Sequence, residues 1–214
     1  GLGDVYKRQA CPPPRIRLSD MSMPLDDLAD VPDETLLVLY ANGDAAAARA
    51  LTLRFTPRVL SFAARMLGDR AEAEDVAQEA MLRLWRVAAE WRRGEAQVST
   101  WLYRVASNLC TDRLRRRRSV ALDQIAEPED DRPGVDEGLM EADRARALEN
   151  ALTLLPERQR QAVVLRHLEG LSNPEIAAVM EIGVEAVESL LARGKRMLAS
   201  RLAGRREELG YRHG

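Results

Sequence analysis

From Asp33 onward, apolar positions recur at helical spacing. Asp33-Glu34 opens the apolar run LLVLYA, and Asn42-Gly43 ends it. Asp44 is placed to cap a second helix that runs to Leu67. Within it Phe55, Val59, Phe62 and Met66 recur at intervals of four, three and four, which makes one buried stripe. Pro57 falls inside that helix and predicts a local kink. Gly68 closes the helix and Asp69 caps the next. There Val76, Ala77, Ala80, Met81, Leu84, Val87 and Ala88 form the apolar face. Asp75, Gln78, Glu79, Leu82 and Arg86 lie away from its centre. Ser99 or Thr100 is expected to cap a fourth helix, with Leu102, Val105, Ala106 and Leu109 inward. It ends in Arg113, Arg115, Arg116, Arg117 and Arg118.

A second helical set follows further on. Pro156 suits a first helical turn, and Glu157 to Leu168 continues it with Val163, Val164 and Leu168 apolar. Gly170 closes that helix. Ser172 and Glu175 have the spacing of a capping box for a short helix to Met180. Glu181-Ile182-Gly183 breaks the chain, and a longer helix begins near Val184. Val184, Val187, Leu191 and Leu198 are expected inward, with Glu185, Glu188, Ser189, Ala192, Arg193 and Arg196 on the opposite face. Two helices joined by a short glycine-containing turn match a helix-turn-helix, whose second helix can enter a major groove. A plain helical hairpin fits the same spacing.

Charge divides the chain. The full sequence has 32 basic and 34 acidic residues, a net of −2. Residues 34–118 carry 15 basic and 10 acidic groups, residues 119–143 carry 1 and 9, and residues 144–214 carry 12 and 9. Two basic blocks therefore flank an acidic stretch that also holds Pro128, Pro133, Gly134 and Gly138, which is linker composition. The expected fold class is all-α, with two small helical domains, 34–118 and 144–203, joined by an acidic flexible linker, 119–143. Residues 1–33 are expected to be an irregular leader and 204–214 a tail. The opening GLGDVYKRQ reads as sequence foreign to the fold.

Composition removes several functions. The two cysteines, Cys11 and Cys110, exclude a disulfide framework or a cysteine-rich zinc site and favour a reducing compartment. The longest uncharged run, Thr35 to Gly43, is nine residues and too short to cross a bilayer, so no membrane span is expected. No phosphate-cradling glycine loop, metal-spaced histidine pair or tuned carboxylate is present, so neither a catalytic site, a cofactor, a metal site nor a small-molecule substrate is expected. Cys110 sits where a small core residue would. Thirty of the 32 basic residues are Arg, a bias that phosphate binding and GC-rich coding would both produce.

Trp91, Trp101 and Tyr103 place three of the nine aromatics within thirteen residues, beside the arginine-rich helix end. Aromatic faces next to cations suit unstacked bases and a phosphate backbone. Packed core tryptophans beside a solvated charge run suit the same pattern. Glu185 and Glu188 on the groove-facing side of the last helix repel phosphate, yet a carboxylate there can accept from a cytosine amino group. They also favour the helix dipole.

The segments AEDVAQEAMLRLW (73–85), STWLYRVASNLCTDRLRRRR (99–118), LTLLPERQRQAVVLRHLEGLSNPEIAAVM (152–180) and VEAVESLLARGKRML (184–198) together resemble a bacterial RNA polymerase sigma factor. More narrowly, they resemble the extracytoplasmic-function (ECF) group of the sigma-70 family, over residues 34–118 and 144–203. The resemblance implies a region 2-like bundle and a region 4-like helix-turn-helix. It places Asp75, Gln78, Glu79 and Leu82 against the clamp helices of core RNA polymerase. It places Trp91 and the loop to Ser99 at a flipped base of the minus-ten element, and Trp101, Tyr103, Asn108, Asp112, Arg113 and Arg116 on the strand-melting helix. It places Glu188, Ser189, Ala192, Arg193, Lys195 and Arg196 on the helix that reads the minus-thirty-five element of promoter DNA. An anti-sigma factor as partner and a cytoplasmic location follow from the same resemblance. A stand-alone operator-binding regulator is the rival reading. Many relatives have Gly-Thr-Val-Lys/Arg-Ser-Arg where this chain has Glu185-Ala186-Val187-Glu188-Ser189-Leu190, so two expected cations are replaced.

Overall fold

The computed structural model describes residues 28–92, 94, 97–123 and 140–203. They form eight α-helices and one 3-10 turn, with no strand among the described residues. No helix among them is long and apolar enough to cross a membrane.

Helix α1 (Asp33–Ala41) carries Asp33 and Glu34 in its first turn, where carboxylates favour the N-terminal dipole. Gly43 turns the chain with φ +94°. Asp44 then caps α2 (Ala45–Leu67), accepting from the amides of Ala46 at 2.8 Å and Ala47 at 3.1 Å. The α2 stripe is buried as the spacing predicts, with Phe55, Val59, Phe62 and Met66 all inside. The helix runs through Pro57 as a single element of 23 residues, so the proline does not end it. Gly68 closes it in the left-handed region at φ +66°, and Asp69 caps α3 (Arg70–Val87) through the Glu72 amide at 3.0 Å. The 3-10 turn Ala88–Glu90 follows.

The chain before α1 departs from the sequence expectation. Residues 1–27 lie outside the described residues, but Leu28 is fully buried. Arg54 donates to the carbonyls of Ala29 (2.8 Å), Val31 (3.0 Å) and Leu28 (3.2 Å), and also to Asp33. The planar guanidinium fork satisfies several carbonyls at once. The stretch from Leu28 is therefore packed structure, not irregular leader.

Helix α4 (Val98–Asp123) begins one residue before Ser99, which puts Ser99 and Thr100 inside its first turn and not at its cap. It also continues past Arg118 into the stretch expected to be linker. No breaker stands in the way, because the first proline after it is Pro128. Helix α5 (Met140–Thr153) was not foreseen. Its signal was Ala147, Ala151 and Leu152, all buried, hidden behind acidic neighbours. The rest of the acidic stretch, 124–139, lies outside the described residues.

Pro156 stands at the N-cap of α6 (Glu157–His167), which buries Ala162, Val163, Val164 and Leu165. Leu168, the last apolar position of the expected helix, is 37% exposed, because the helix has ended and Gly170 (φ +77°) is already turning the chain. The capping box of α7 (Asn173–Met180) is complete. The amide and hydroxyl of Ser172 donate to Glu175 at 2.7 and 2.6 Å, which holds that carboxyl below its usual range. Glu181 adopts φ +53°, a left-handed turn unusual for a residue with a Cβ. Helix α8 (Val184–Ala203) follows, with Val187 and Leu191 buried. Val184 opens that helix and stays 36% exposed, contrary to expectation, since no earlier turn covers it.

Gly194 sets the crossing of α8 on α6. A Cβ there would meet Val163 Cγ2 at 2.6 Å and the Gln159 carbonyl oxygen at 3.5 Å. Val is stiff at χ1 and cannot swing clear. Gly194→Ala should therefore destabilise the chain, despite a gain in helix propensity of about 1 kcal/mol, because overpacking costs about 1–3 kcal/mol. Urea unfolding checks it, and a variant as stable as the parent would remove Gly194 from the packing argument.

The last four helices rest on the first four. Helices α5 and α6 meet α2, and α7 meets α4. The buried apolar cluster is continuous from Leu28 to Leu191.

Candidate functional site

Three surfaces carry the residues singled out from the sequence. The first lies on α3. Asp75, Gln78 and Leu82 are exposed, as the spacing requires. Glu79 sits beside them and accepts from Arg83 Nε at 2.8 Å, a bond that lowers its carboxyl below the usual range. Gln78 and Leu82 edge a groove of about 350 Å³ with Thr56, Leu60, Glu74, Ala77, Met81 and Trp85. The groove is mostly apolar, and Leu82 is left 42% exposed on it. An exposed leucine beside Met81 and Trp85 is the composition of a protein-binding surface.

The second surface is α4. Asn108, Asp112 and Arg116 are exposed at intervals of four, one face of the helix. Trp101 is half-buried and meets Trp91 edge to face, with ring centroids 5.9 Å apart and planes at 83°. Trp91 Nε1 is buried with no hydrogen-bond partner among the described residues. Part of the loop from Trp91 to Ser99, namely residues 93, 95 and 96, lies outside the described residues. Arg113 is half-buried and lies 3.6 Å from Asp75, so a residue expected at the minus-ten face is paired with one expected at the polymerase face.

Tyr103 corrects the sequence reading. The resemblance set it among the minus-ten residues of the strand-melting helix, but it is 1% exposed. Its ring packs edge-on against Phe62, and its hydroxyl donates to Glu169 at 2.5 Å. The arginine run is also not uniform. Arg117 turns inward, reaching Glu72 at 3.0 Å, Asp69 at 3.2 Å and the Leu67 carbonyl at 2.9 Å. Arg118 reaches Glu157 at 2.6 Å. Arg115 and Arg116 remain exposed.

The third surface is α8. Glu185, Glu188, Ser189, Ala192, Arg193, Lys195 and Arg196 are all exposed on it. Arg193 donates to Ser189 Oγ at 2.8 Å and to the Ser189 carbonyl at 3.3 Å, which fixes its guanidinium along the helix. The capped α7, the Glu181 turn and α8 form a helix-turn-helix whose second helix presents an open polar face.

Sequence reasoning missed Glu169. It stands in the turn after α6, where nothing in the local pattern marks it. Its side chain is 5% exposed, receives the Tyr103 hydroxyl, and lies 3.6 Å from Arg65. Cys110 is fully buried, and burial pushes its thiol up to about 12, so it stays protonated and packs as a small apolar group. Among the described residues no group of three His, Cys, Asp or Glu could hold a metal ion.

Comparison with known proteins agrees with this arrangement. Residues 51–120 match the family model for sigma-70 region 2, and residues 145–198 match that for sigma-70 region 4. The chain is 35% identical over 173 residues to the ECF RNA polymerase sigma factor SigE of Mycolicibacterium smegmatis, covering 78% of this chain and 66% of that protein. It is 32% identical over 181 residues to the ECF RNA polymerase sigma-E factor of Escherichia coli, covering 79% and 94%. The fold matches the sigma factor RpoE of Bartonella quintana, solved with the anti-sigma factor NepR. The TM-score is 0.59 at 20% identity, over 72% of this chain and 96% of that one. Both the order of the two modules and the likeness along nearly the whole of the E. coli protein lead to one conclusion: this chain belongs to the ECF family of RNA polymerase sigma factors.

Proposed function

We propose that this chain directs promoter-specific transcription initiation as a subunit of RNA polymerase in the cytoplasm. The α3 face with Asp75, Gln78, Glu79 and Leu82 docks on the core enzyme. The α4 face with Trp101, Asn108, Asp112 and Arg116, together with Trp91 and Arg113, opens the minus-ten element and holds its unstacked bases. The α8 face with Glu188, Ser189, Ala192, Arg193, Lys195 and Arg196 reads the minus-thirty-five element. Residues 34–118 form the first functional unit and residues 144–203 the second. Flipping a base costs a few kcal/mol, and stacking of about 1–3 kcal/mol per base offsets it, so no hydrolysis is needed. Glu188 accepts from a cytosine amino group where many relatives place a cation on phosphate. An anti-sigma factor is the natural inhibitor, as NepR is the partner in the Bartonella structure.

The observation that carries this reading is the pairing, in one chain, of an open helix-turn-helix face with a second module bearing an exposed apolar groove. A stand-alone regulator has no use for the groove. The test is transcription from a supercoiled promoter library with purified chain and core polymerase. New transcript starts should require both components. Tight binding to duplex DNA with no polymerase-dependent starts would favour the operator-binding regulator instead.

Within that assay Arg193→Ala should cost on the order of 1–3 kcal/mol at one upstream base position. Its exposed, Ser189-held guanidinium motivates the expectation. An unchanged base preference would take Arg193 out of the readout.

A further inference from the structure

Helix α8 carries two carboxylates on its open side, and their surroundings set them apart. Glu185 folds back on the start of the helix, where its Oε2 lies 3.2 Å from the place a Cβ on Gly183 would occupy. A carboxylate there favours the positive end of the helix dipole, so the helix itself accounts for Glu185. Nothing of that kind holds Glu188. It is exposed, and among the described residues it has neither a hydrogen bond nor an ion pair. Its neighbours along the helix offer no cation, since Glu185 and Val184 precede it by three and four residues, and Leu191 and Ala192 follow it by three and four. The arginines beyond lie along their own helix. Arg193 donates to the Ser189 hydroxyl at 2.8 Å, and Arg196 donates to the Ala192 carbonyl at 3.3 Å.

An unpaired carboxylate on a helix that enters a major groove has few tolerable neighbours. Phosphates repel it. So do guanine O6 and N7 and thymine O4, which are all acceptors. Adenine sets its N6 amino group beside the N7 lone pair, so one carboxylate oxygen gains what the other loses. Cytosine presents its N4 amino group with no acceptor beside it on the same base. One hydrogen of that group pairs with guanine, and the other faces the groove. Exchanging the second for a methyl group keeps the base pair and removes the donor.

We infer that Glu188 makes upstream recognition depend on a cytosine whose N4 keeps its groove-facing hydrogen, so that N4-methylation of this one base weakens the promoter while C5-methylation, which leaves the donor in place, does not. The inference rests on the reading of α8 proposed above, and adds to it a chemical state of the DNA to which the chain responds.

The test uses the full chain with core polymerase on short linear promoters. A library randomised over the upstream element is transcribed with the parent, Glu188→Ala and Glu188→Arg. The parent should enrich cytosine at one position by about tenfold, Glu188→Ala should enrich no base there, and Glu188→Arg should enrich guanine. The parent's best promoter is then made with N4-methylcytosine or 5-methylcytosine at that position. Starts by the parent should fall about tenfold on the N4-methyl template and change little on the 5-methyl one. Glu188→Ala should use the unmodified and N4-methyl templates alike. A parent that enriches no cytosine, or that is indifferent to N4-methylation, would overturn the inference. So would a Glu188→Ala chain that loses as much as the parent, because the methyl group would then act through something other than Glu188. The methyl comparison on the parent needs no variant, so it decides the matter even where a substitution disturbs the helix. Failure of the sigma reading looks different, since no template would then give starts that require both chain and polymerase.

Discussion

Phe62→Ala should destabilise the chain by about 3–5 kcal/mol, the range for emptying a large buried aromatic site. Phe62 is fully buried in α2, at the third position of the stripe that predicts the helix. Its ring lies 5.6 Å from that of Tyr103 at 72°, an edge-to-face pair that adds about 0.5–1.5 kcal/mol beyond area. Tyr103 in turn holds Glu169, so the cavity would loosen the footing of the second module as well. Urea titration followed by circular dichroism checks this. Phe62→Leu, which keeps most of the volume, should cost much less than the truncation. A Phe62→Ala chain within 1 kcal/mol of the parent on the same titration would show that the stripe is not the centre of the core.

What the sequence makes legible follows the range of the interactions involved. Asp44, Asp69 and Ser172 act on amides two or three residues away, so their caps can be read without knowing the fold. The α2 and α3 stripes are likewise local, because helical period alone decides which side faces inward. Arg116 and Arg117 show the limit. They are adjacent and identical in kind, yet one is exposed and the other is bound to Glu72, 45 residues earlier. Only the fold separates them. Tyr103 belongs to the same class, since its burial depends on a carboxylate 66 positions later. Gly194 reads as a blemish in a helical pattern until Val163 is brought against it. Helix α5 shows a different failure, in which acidic neighbours outweighed a short apolar period. The polar face of α8 and the open edge of α3 were legible because both are single-helix properties. The joint between the two halves was not.

Leu82→Glu should weaken binding to core RNA polymerase by at least about thirtyfold, or about 2 kcal/mol, the threshold of an interface hot spot. Leu82 is 42% exposed at the edge of the groove lined by Leu60, Met81 and Trp85. A partner seated there would remove the leucine from water. A carboxylate in its place would be buried without a cation, among residues that already include Glu74. The fold should not suffer, because the residue supports nothing beneath it, and the melting temperature should match the parent's. The substitution is a cleaner probe than Asp75→Ala with Gln78→Ala. That double variant should also weaken polymerase binding, but losing Asp75 frees Arg113 as well and so changes α4. Co-purification of Leu82→Glu with core enzyme at parental yield would remove the groove from the docking surface. If binding falls while duplex binding through α8 holds, the two surfaces are separable. That separation is what a factor needs when it grips an enzyme with one face and reads DNA with another.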